Sequence, residues 1–294
     1  MRFHSDSFEV FVPDGKPVEE ALQRTTHLGI GAHQDDLEIM AAGPIVECFQ
    51  NPKSWFTGLV VTDGSGSPRS GAYEHYSNEE MRSVRRKEQR KAATIGEYTT
   101  LVMLNYPSNA VKDPANQETV KDIASVLRVA RPQHVYTHNL ADKHDTHVGV
   151  AMKVITAIRS LPGDERPLKL YACEVWRDLD WMVDHDKVSF DLSKNENLQA
   201  ALLGVFDSQI SGGKRYDLAS LARRRINATY FESHGVDKVS GLSYAMDLTP
   251  LIQNPEIDIE SYVLAFIDRF AQDVIERLKK MRSIGEASGK KGLR

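Results

Sequence analysis

Two cysteines in 294 residues are too few for a disulfide framework, and neither Cys48 nor Cys173 has the paired spacing of a zinc thiolate site. That usage fits a reducing compartment. No uninterrupted apolar run approaches the ~20 residues that span a bilayer. The start, Met1 to Val12, mixes charge with polarity where a signal peptide would carry an apolar core. The expectation is a cytoplasmic protein with no membrane partner. A formal charge of −4 supplies no basic field, so no nucleic-acid partner is expected either. The basic runs Arg85-Arg86-Lys87 and Arg223-Arg224-Arg225 fall in helical-looking stretches and read as solvated faces. A dinucleotide fingerprint is incomplete: Gly29-x-Gly31 follows a strand, but Gln34 occupies the place of the third glycine. There is no internal repeat and no low-complexity domain.

What is present is an ordinary globular composition, 41% hydrophobic and 27% charged, on a chain long enough for a full-sized core. Short apolar runs alternate with amphipathic stretches. Strands are predicted at 27–32, 56–62, 101–104, 134–138 and 168–175. Ser77-x-x-Glu80 is a capping box opening a long helix that runs to Ile95, and helices follow at 119–130 and 148–161. Between them, Asp63 to Tyr76 is a glycine- and serine-rich stretch suited to a mobile loop beside an active site. Strand and helix alternating at this spacing argue for an α/β fold with a mostly parallel sheet covered by helices. Beyond residue 180 the pattern turns helical, at 198–206, 218–230 and 259–281, with a frayed basic tail from Gly285. The reading is one domain, a core over 1–180 with a C-terminal helical extension over 181–294 packed on it.

Two segments hold most of the chemistry: Gly31-Ala32-His33-Gln34-Asp35-Asp36-Leu37-Glu38 and Asp142-Lys143-His144-Asp145-Thr146-His147. Each follows a predicted strand, at the edge where such sheets bind ligands. A divalent metal acting as a Lewis acid needs about three protein ligands and an open position. His33, Asp36 and His147 offer two imidazoles and a carboxylate. Adjacent side chains point in different directions, so Asp36 can hold a metal while Asp35 faces the open position as a general base for the metal-bound water. His144, near His147, can stabilise an oxyanion or protonate a leaving amine. Asp142 or Asp145 can orient an imidazole from behind. Singly, a histidine at a strand end is more often structural, and an aspartate at a strand-to-helix turn is often an N-cap. Two clusters of complementary ligands at matching sheet positions favour the metal reading.

The residues Gly-Ala-His-Gln-Asp-Asp-Leu-Glu-Ile at 31–39 resemble the signature of the LmbE-like (PIG-L) de-N-acetylases, which normally read Ala-His-Pro-Asp-Asp. The spacing to Glu38 is similar to that of the bacillithiol-pathway and diacetylchitobiose deacetylases. Val61-Thr62-Asp63-Gly64, Arg85-x-x-Glu88 and Arg131-Pro132 fall in the family's order. The resemblance spans about 26–150, weakens at Glu174-Val175-Trp176 and Ser208-Gln209, and ends near 215. It implies a Rossmann-like fold and a zinc-dependent hydrolase (Fe2+ being the other metal) that removes the acetyl group from an N-acetylglucosamine-type substrate or related acetamido conjugate. It also implies zinc on His33, Asp36 and His147, Asp35 as base, His144 as oxyanion or acid partner, Arg85 holding sugar hydroxyls, and a homo-oligomer. Gln34 replaces the usual proline, and Thr146 replaces the aspartate of the usual His-Pro-Asp-His.

Two other functions compete. His33, Asp35 and His147 together spell the two-histidine, one-carboxylate set of non-haem Fe(II) oxygenases. A relative that binds sugar without turning it over is the third reading. Trp55, Trp176 and Trp181 read as core packing, and His185 and His234 as surface histidines.

Overall fold

The structure, a computed structural model, describes residues 2–291, and the side chains of residues 2–283. Eight strands form one sheet: β1 Glu9–Phe11, β2 His27–Gly31, β3 Phe56–Thr62, β4 Thr100–Tyr106, β5 His134–His138, β6 Lys169–Cys173, β7 Lys187–Asp191 and β8 Leu242–Asp247. Their order is β1-β4-β3-β2-β5-β6-β8-β7. The five inner strands from β4 to β6 run parallel, and β1, β8 and β7 pair antiparallel at the margins. The chain builds outward from β2 to β4, then returns to the other side of β2 with β5. The order therefore reverses between β2 and β5, and a crevice opens beyond their C-terminal ends. Both histidine motifs leave the sheet at this point.

Helices cover both faces. One apolar layer sets Leu22, Ile123, Val154 and Leu251 against Leu28, Ile30 and Leu59; the other sets Leu37, Ile45, Ala92 and Leu202 against Val60 and Met103. Each such fully buried aliphatic side chain contributes roughly 1.5–3 kcal/mol relative to exposure. β3 and β4 are buried along their whole length, as strands covered on both sides must be. The glycines of β2 and β3 serve this packing. A Cβ on Gly29 would lie 2.7 Å from the Phe56 ring, and one on Gly58 would lie 2.8 Å from Leu37. They let the Asp36–Met40 helix sit close on the sheet, which accounts for Gly29 without a nucleotide.

The strands at 27–31, 56–62 and 134–138 fall where the apolar runs predict them, and the Ser77 and Glu80 side chains form the capping box. The second half of the chain differs from its helical expectation. It supplies β7 and β8, so the sheet runs across residue 180. The last helix extends over Ile259–Lys291 instead of fraying at Gly285; residues 292–294 lie outside the described residues. The basic runs are not uniformly solvated either: Arg85 is 1% exposed and Arg224 5%. No described helix is long and apolar enough to cross a membrane.

Candidate metal centre and active-site cavity

After β2 the chain turns sharply. Asp35 caps the Asp36–Met40 helix with φ 98° and ψ −26°, a left-handed conformation that costs a residue with a side chain about 1–3 kcal/mol. The surroundings hold it there. Gln89 accepts the Asp35 N–H at 3.2 Å, the Gln34 side chain donates to the Thr62 carbonyl at 3.0 Å, and Arg85 donates to the Gln34 carbonyl. The outcome is that consecutive carboxylates part company. Asp36 faces the imidazoles, and Asp35 lies 3.4 Å from the Arg85 guanidinium.

The Asp36 carboxylate is 3.4 Å from His33 Nδ1 through one oxygen and 3.4 Å from His147 Nε2 through the other. The two ring nitrogens are themselves 3.3 Å apart. Behind His147, Asp142 lies 3.4 Å from Nδ1 and also accepts the backbone N–H groups of His144 and Trp176 at 3.2 Å. A proton on His147 Nδ1 leaves the Nε2 lone pair facing Asp36. Two groupings of potential ligand atoms occupy this space, His33 with His144 and His147, and Asp36 with His138 and His147, and His147 belongs to both. His138 stacks on His147 with ring centroids 3.9 Å apart, but its Nε2 accepts the Ala32 N–H at 2.9 Å. Its lone pair is thereby engaged.

Burial and charge set the protonation of the cluster. Burial pushes Asp35 up to about 7, opposed by Arg85 and reinforced by Asp36. Burial would raise Asp36 as well, yet the facing His147 and His138 hold it well below the usual carboxylate range. Burial and the neighbouring His147 bring both His138 and His144 down to about 4. His147 goes the other way: burial disfavours its charge, but Asp36 and Asp142 outweigh that.

These groups open onto a cavity of about 550 Å³ whose wall includes His33, Asp35, Asp36, Arg85 and His144. Gly64, Gly66, Ser67 and Pro68 of the expected loop also line it, as do Ser108, Lys112, Trp176, Gln209, Lys214 and Tyr216. A larger groove of about 930 Å³ lies elsewhere, beside His185 and His234, with no cluster of metal-ligating side chains among the described residues.

Residues 28–158 match the family model described as PIG-L, GlcNAc-PI de-N-acetylase. They are a PIG-L family domain. Solved structures share the fold. A conserved protein from Thermus thermophilus superposes with a TM-score of 0.61 at 19% identity, covering 80% of this chain and 99% of its own. The N,N'-diacetylchitobiose deacetylase from Pyrococcus horikoshii gives 0.57 at 19% identity, covering 75% and 83%. The 4-carboxy-2-hydroxymuconate hydratase from Pseudomonas putida gives 0.59 at 17% identity, covering 76% and 96%. The PIG-L domain contains both histidine motifs and Arg85. Trp176, Gln209, Lys214 and Tyr216 reach the cavity from outside it.

Set against the sequence reading, the PIG-L domain brings His33, Asp35, Asp36, His144, His147 and Asp142 together. It does not bring Asp145. That residue is the first of the Asp145–Arg159 helix, where the backbone turns its side chain outward; it is exposed and lines a separate cavity with Val148 and Met152. The carboxylate within 3.4 Å of both imidazoles is Asp36, not the Asp35 of the oxygenase set. Arg85 is buried against Asp35 and the Gln34 carbonyl, its Nη1 lies 3.8 Å from the Glu88 carboxylate, and neither Nε nor Nη1 makes a hydrogen bond to the protein. Trp176 forms cavity wall as well as packing. His138, Lys112, Lys214 and Tyr216 were missed; only His138, ending a strand beside His33, carried any signal in the sequence.

Proposed function

We propose that the protein is a zinc-dependent N-deacetylase acting on an acetamido sugar or conjugate, with His33, Asp36 and His147 as ligands and Asp35 as general base. The carrying observation is the convergence of three side chains: His33 Nδ1 and His147 Nε2 lie 3.3 Å apart, and each lies 3.4 Å from a different oxygen of the Asp36 carboxylate. An ion bound at ~2.1 Å in a tetrahedron holds its ligands ~3.4 Å apart, and two imidazoles with one carboxylate oxygen at separations of this order suit zinc. The same donor types also take Fe2+. His138 is left out because Ala32 occupies its lone pair. Once bound, the ion would polarise the acetamide carbonyl and lower the pKa of its water to about 7.

The protein's own groups do the rest. Asp35, ionised, takes the proton of the attacking water, and burial raises its carboxyl above the ordinary carboxylate range, which makes it a stronger base than a free aspartate. That proton then goes to the departing amine as the C–N bond breaks, giving acetate and a free amine. His144 is held neutral, and its buried Nδ1 has no protein partner. It serves as a hydrogen-bond donor to the oxyanion more readily than as an acid. Arg85 fixes Asp35 from the cavity wall, its guanidinium charge shared with Glu88. Lys112 and Lys214 stand exposed on the cavity rim, Lys214 with its ammonium 5.1 Å from the Trp176 ring. Their charge favours a conjugate carrying an anionic group near the acetamide.

The hydratase with this fold shows that fold alone does not choose the reaction, so the test must read the product. Metal content is measured on wild type, His147→Ala and Asp35→Asn, with acetate release from a panel of N-acetylglucosamine conjugates. Wild type should hold stoichiometric metal and release acetate, and His147→Ala should lose metal. Asp35→Asn should keep metal and lose about 100-fold to 10,000-fold in rate. Wild-type turnover by Asp35→Asn would overturn the base assignment. Metal without acetate release from any conjugate would overturn the deacetylase.

A further inference from the structure

We infer that the C-terminal helix, Ile259–Lys291, is a self-association element that pairs antiparallel with the same helix of a second copy of this chain. The helix carries two apolar stripes on different faces. Ile259, Tyr262 and Phe266 pack on the core, Tyr262 donates to the Asp247 carbonyl at 2.6 Å, and Arg269 pairs with Asp186 at 2.5 Å. The other stripe faces away. Leu264 is 54% exposed, Ile267 42%, Val274 40%, Leu278 56% and Met281 58%, with exposed Ala271 between them. Their steps are three, four, three, four and three residues, the repeat of a two-helix seam. An isolated surface helix has no need of a second stripe in that register.

Charge decides the occupant and its direction. Residues 259–276 carry Glu260, Asp268, Asp273 and Glu276 against one arginine, whereas 277–283 carry Arg277, Lys279, Lys280 and Arg282 and no acid. An antiparallel copy lays the acidic stretch of each helix beside the basic stretch of the other. Leu264 then meets Met281, Ile267 meets Leu278 and Ala271 meets Val274, so every seam position finds a counterpart. A parallel pair would set Arg277 of one helix opposite Arg282 of the other and like charges together along its length. Phe270, 38% exposed, and Ile275, 40%, flank this seam. A membrane surface is the poorer fit, because the acids flanking the seam's first half repel anionic headgroups. Anchoring by Phe266 and the Arg269–Asp186 pair fixes the helix before association, which lowers the ordering cost of pairing.

The test is sedimentation velocity on the full chain, with the double variant Ile267→Glu and Leu278→Glu alongside. Wild type should run at twice the chain mass. The double variant should run as a monomer with unchanged circular dichroism, since both positions are exposed. A wild-type monomer at every soluble concentration, or a dimer that survives the double variant, would overturn the inference. So would a monomer that pellets with phosphatidylserine vesicles. Orientation is read by disulfide trapping, because Cys48 and Cys173 are buried. Leu264→Cys mixed with Met281→Cys should cross-link. Leu264→Cys alone should not, its two thiols lying about 26 Å apart along an antiparallel pair; efficient cross-linking of that variant alone would overturn the antiparallel arrangement.

Discussion

Removing the Asp142 carboxylate should weaken metal binding without touching a ligand. Asp142 has two distinct tasks: one oxygen accepts the His144 N–H, while the other faces His147 Nδ1 and accepts the Trp176 N–H. Asp142→Asn can place its amide oxygen at the second position, keeping the His147 tautomer and the Trp176 contact while losing the charge and the acceptor for the His144 N–H. Asp142→Ala loses all three contacts and frees the imidazole to rotate. Carboxylates behind a ligating histidine are worth about 10-fold to 100-fold in affinity, or about 1.4–2.7 kcal/mol. The asparagine variant should fall near the lower figure and the alanine variant near the upper. Zinc affinity is measured by competition with a chromogenic chelator at neutral pH, and circular dichroism checks that each variant is folded. Wild-type affinity in a folded Asp142→Ala would refute the assignment of His147 as a ligand oriented by this residue. An unchanged affinity in Asp142→Asn with a large loss in Asp142→Ala would show that orientation matters and charge does not.

Other expectations follow from single contacts. At the opposite end of the sheet from the site, burial and the neighbouring His134 bring His27 down to about 4 from an unfolded value near 6.5. A depressed value means that the stability it contributes is fully present above pH 6.5 and is lost as pH falls toward 4. Between pH 8 and pH 5 the loss is about 2 kcal/mol, and His27→Gln should remove that part of the acid sensitivity in denaturant titrations at the two pH values; an unchanged slope would refute it. Gly58→Ala would push a methyl to 2.8 Å from Leu37 and 3.1 Å from Tyr98, so it should destabilise by about 1–3 kcal/mol in thermal unfolding. Lys112→Ala and Lys214→Ala should raise KM for anionic acetamido conjugates by several-fold and leave neutral ones unchanged. Equal effects on both classes would remove the anionic part of the substrate assignment.

How much could be read from the chain depended on whether a signal was local. β2, β3 and β5 are buried along nearly their whole length, so charged residues other than histidine are missing from them and their apolar and β-branched residues stand out. β1 has three residues, and β7 is half exposed along its length, leaving neither with a readable pattern. The donor residues were legible because two short segments contain them all. The choice between Asp142 and Asp145 was not, because it turns on where the helix begins: Asp145, its first residue, is directed outward, while Asp142 precedes the turn and reaches back to His147. Arg85 and Arg224 sit in runs of cations that normally face water, and their burial is decided by partners far away in sequence, the Gln34 carbonyl and the Glu38 carbonyl. The rim residues Lys112, Lys214 and Tyr216 share no motif and meet only in the folded chain.

Gln34 shows how an atypical residue can preserve a site. Where the resembling family has proline, the turn before Asp35 would be stiffened by the ring itself. Here the stiffness comes from outside the turn. The buried Gln34 side chain ties the turn to the Thr62 carbonyl at the end of β3, and its carbonyl takes a hydrogen bond from Arg85, which also touches Asp35. The same helix, Asn78–Ile95, contributes Gln89, which accepts the Asp35 N–H and donates to Glu38 at 2.7 Å. Two elements, β3 and the helix Asn78–Ile95, therefore share the work of holding one strained aspartate, and its left-handed conformation is what turns Asp35 away from Asp36. A base free to swing onto the metal would become a fourth ligand and fill the position that water needs. Under the proposed metal assignment, the strain at Asp35 is thus tied to keeping one carboxylate on the metal and the next one off it.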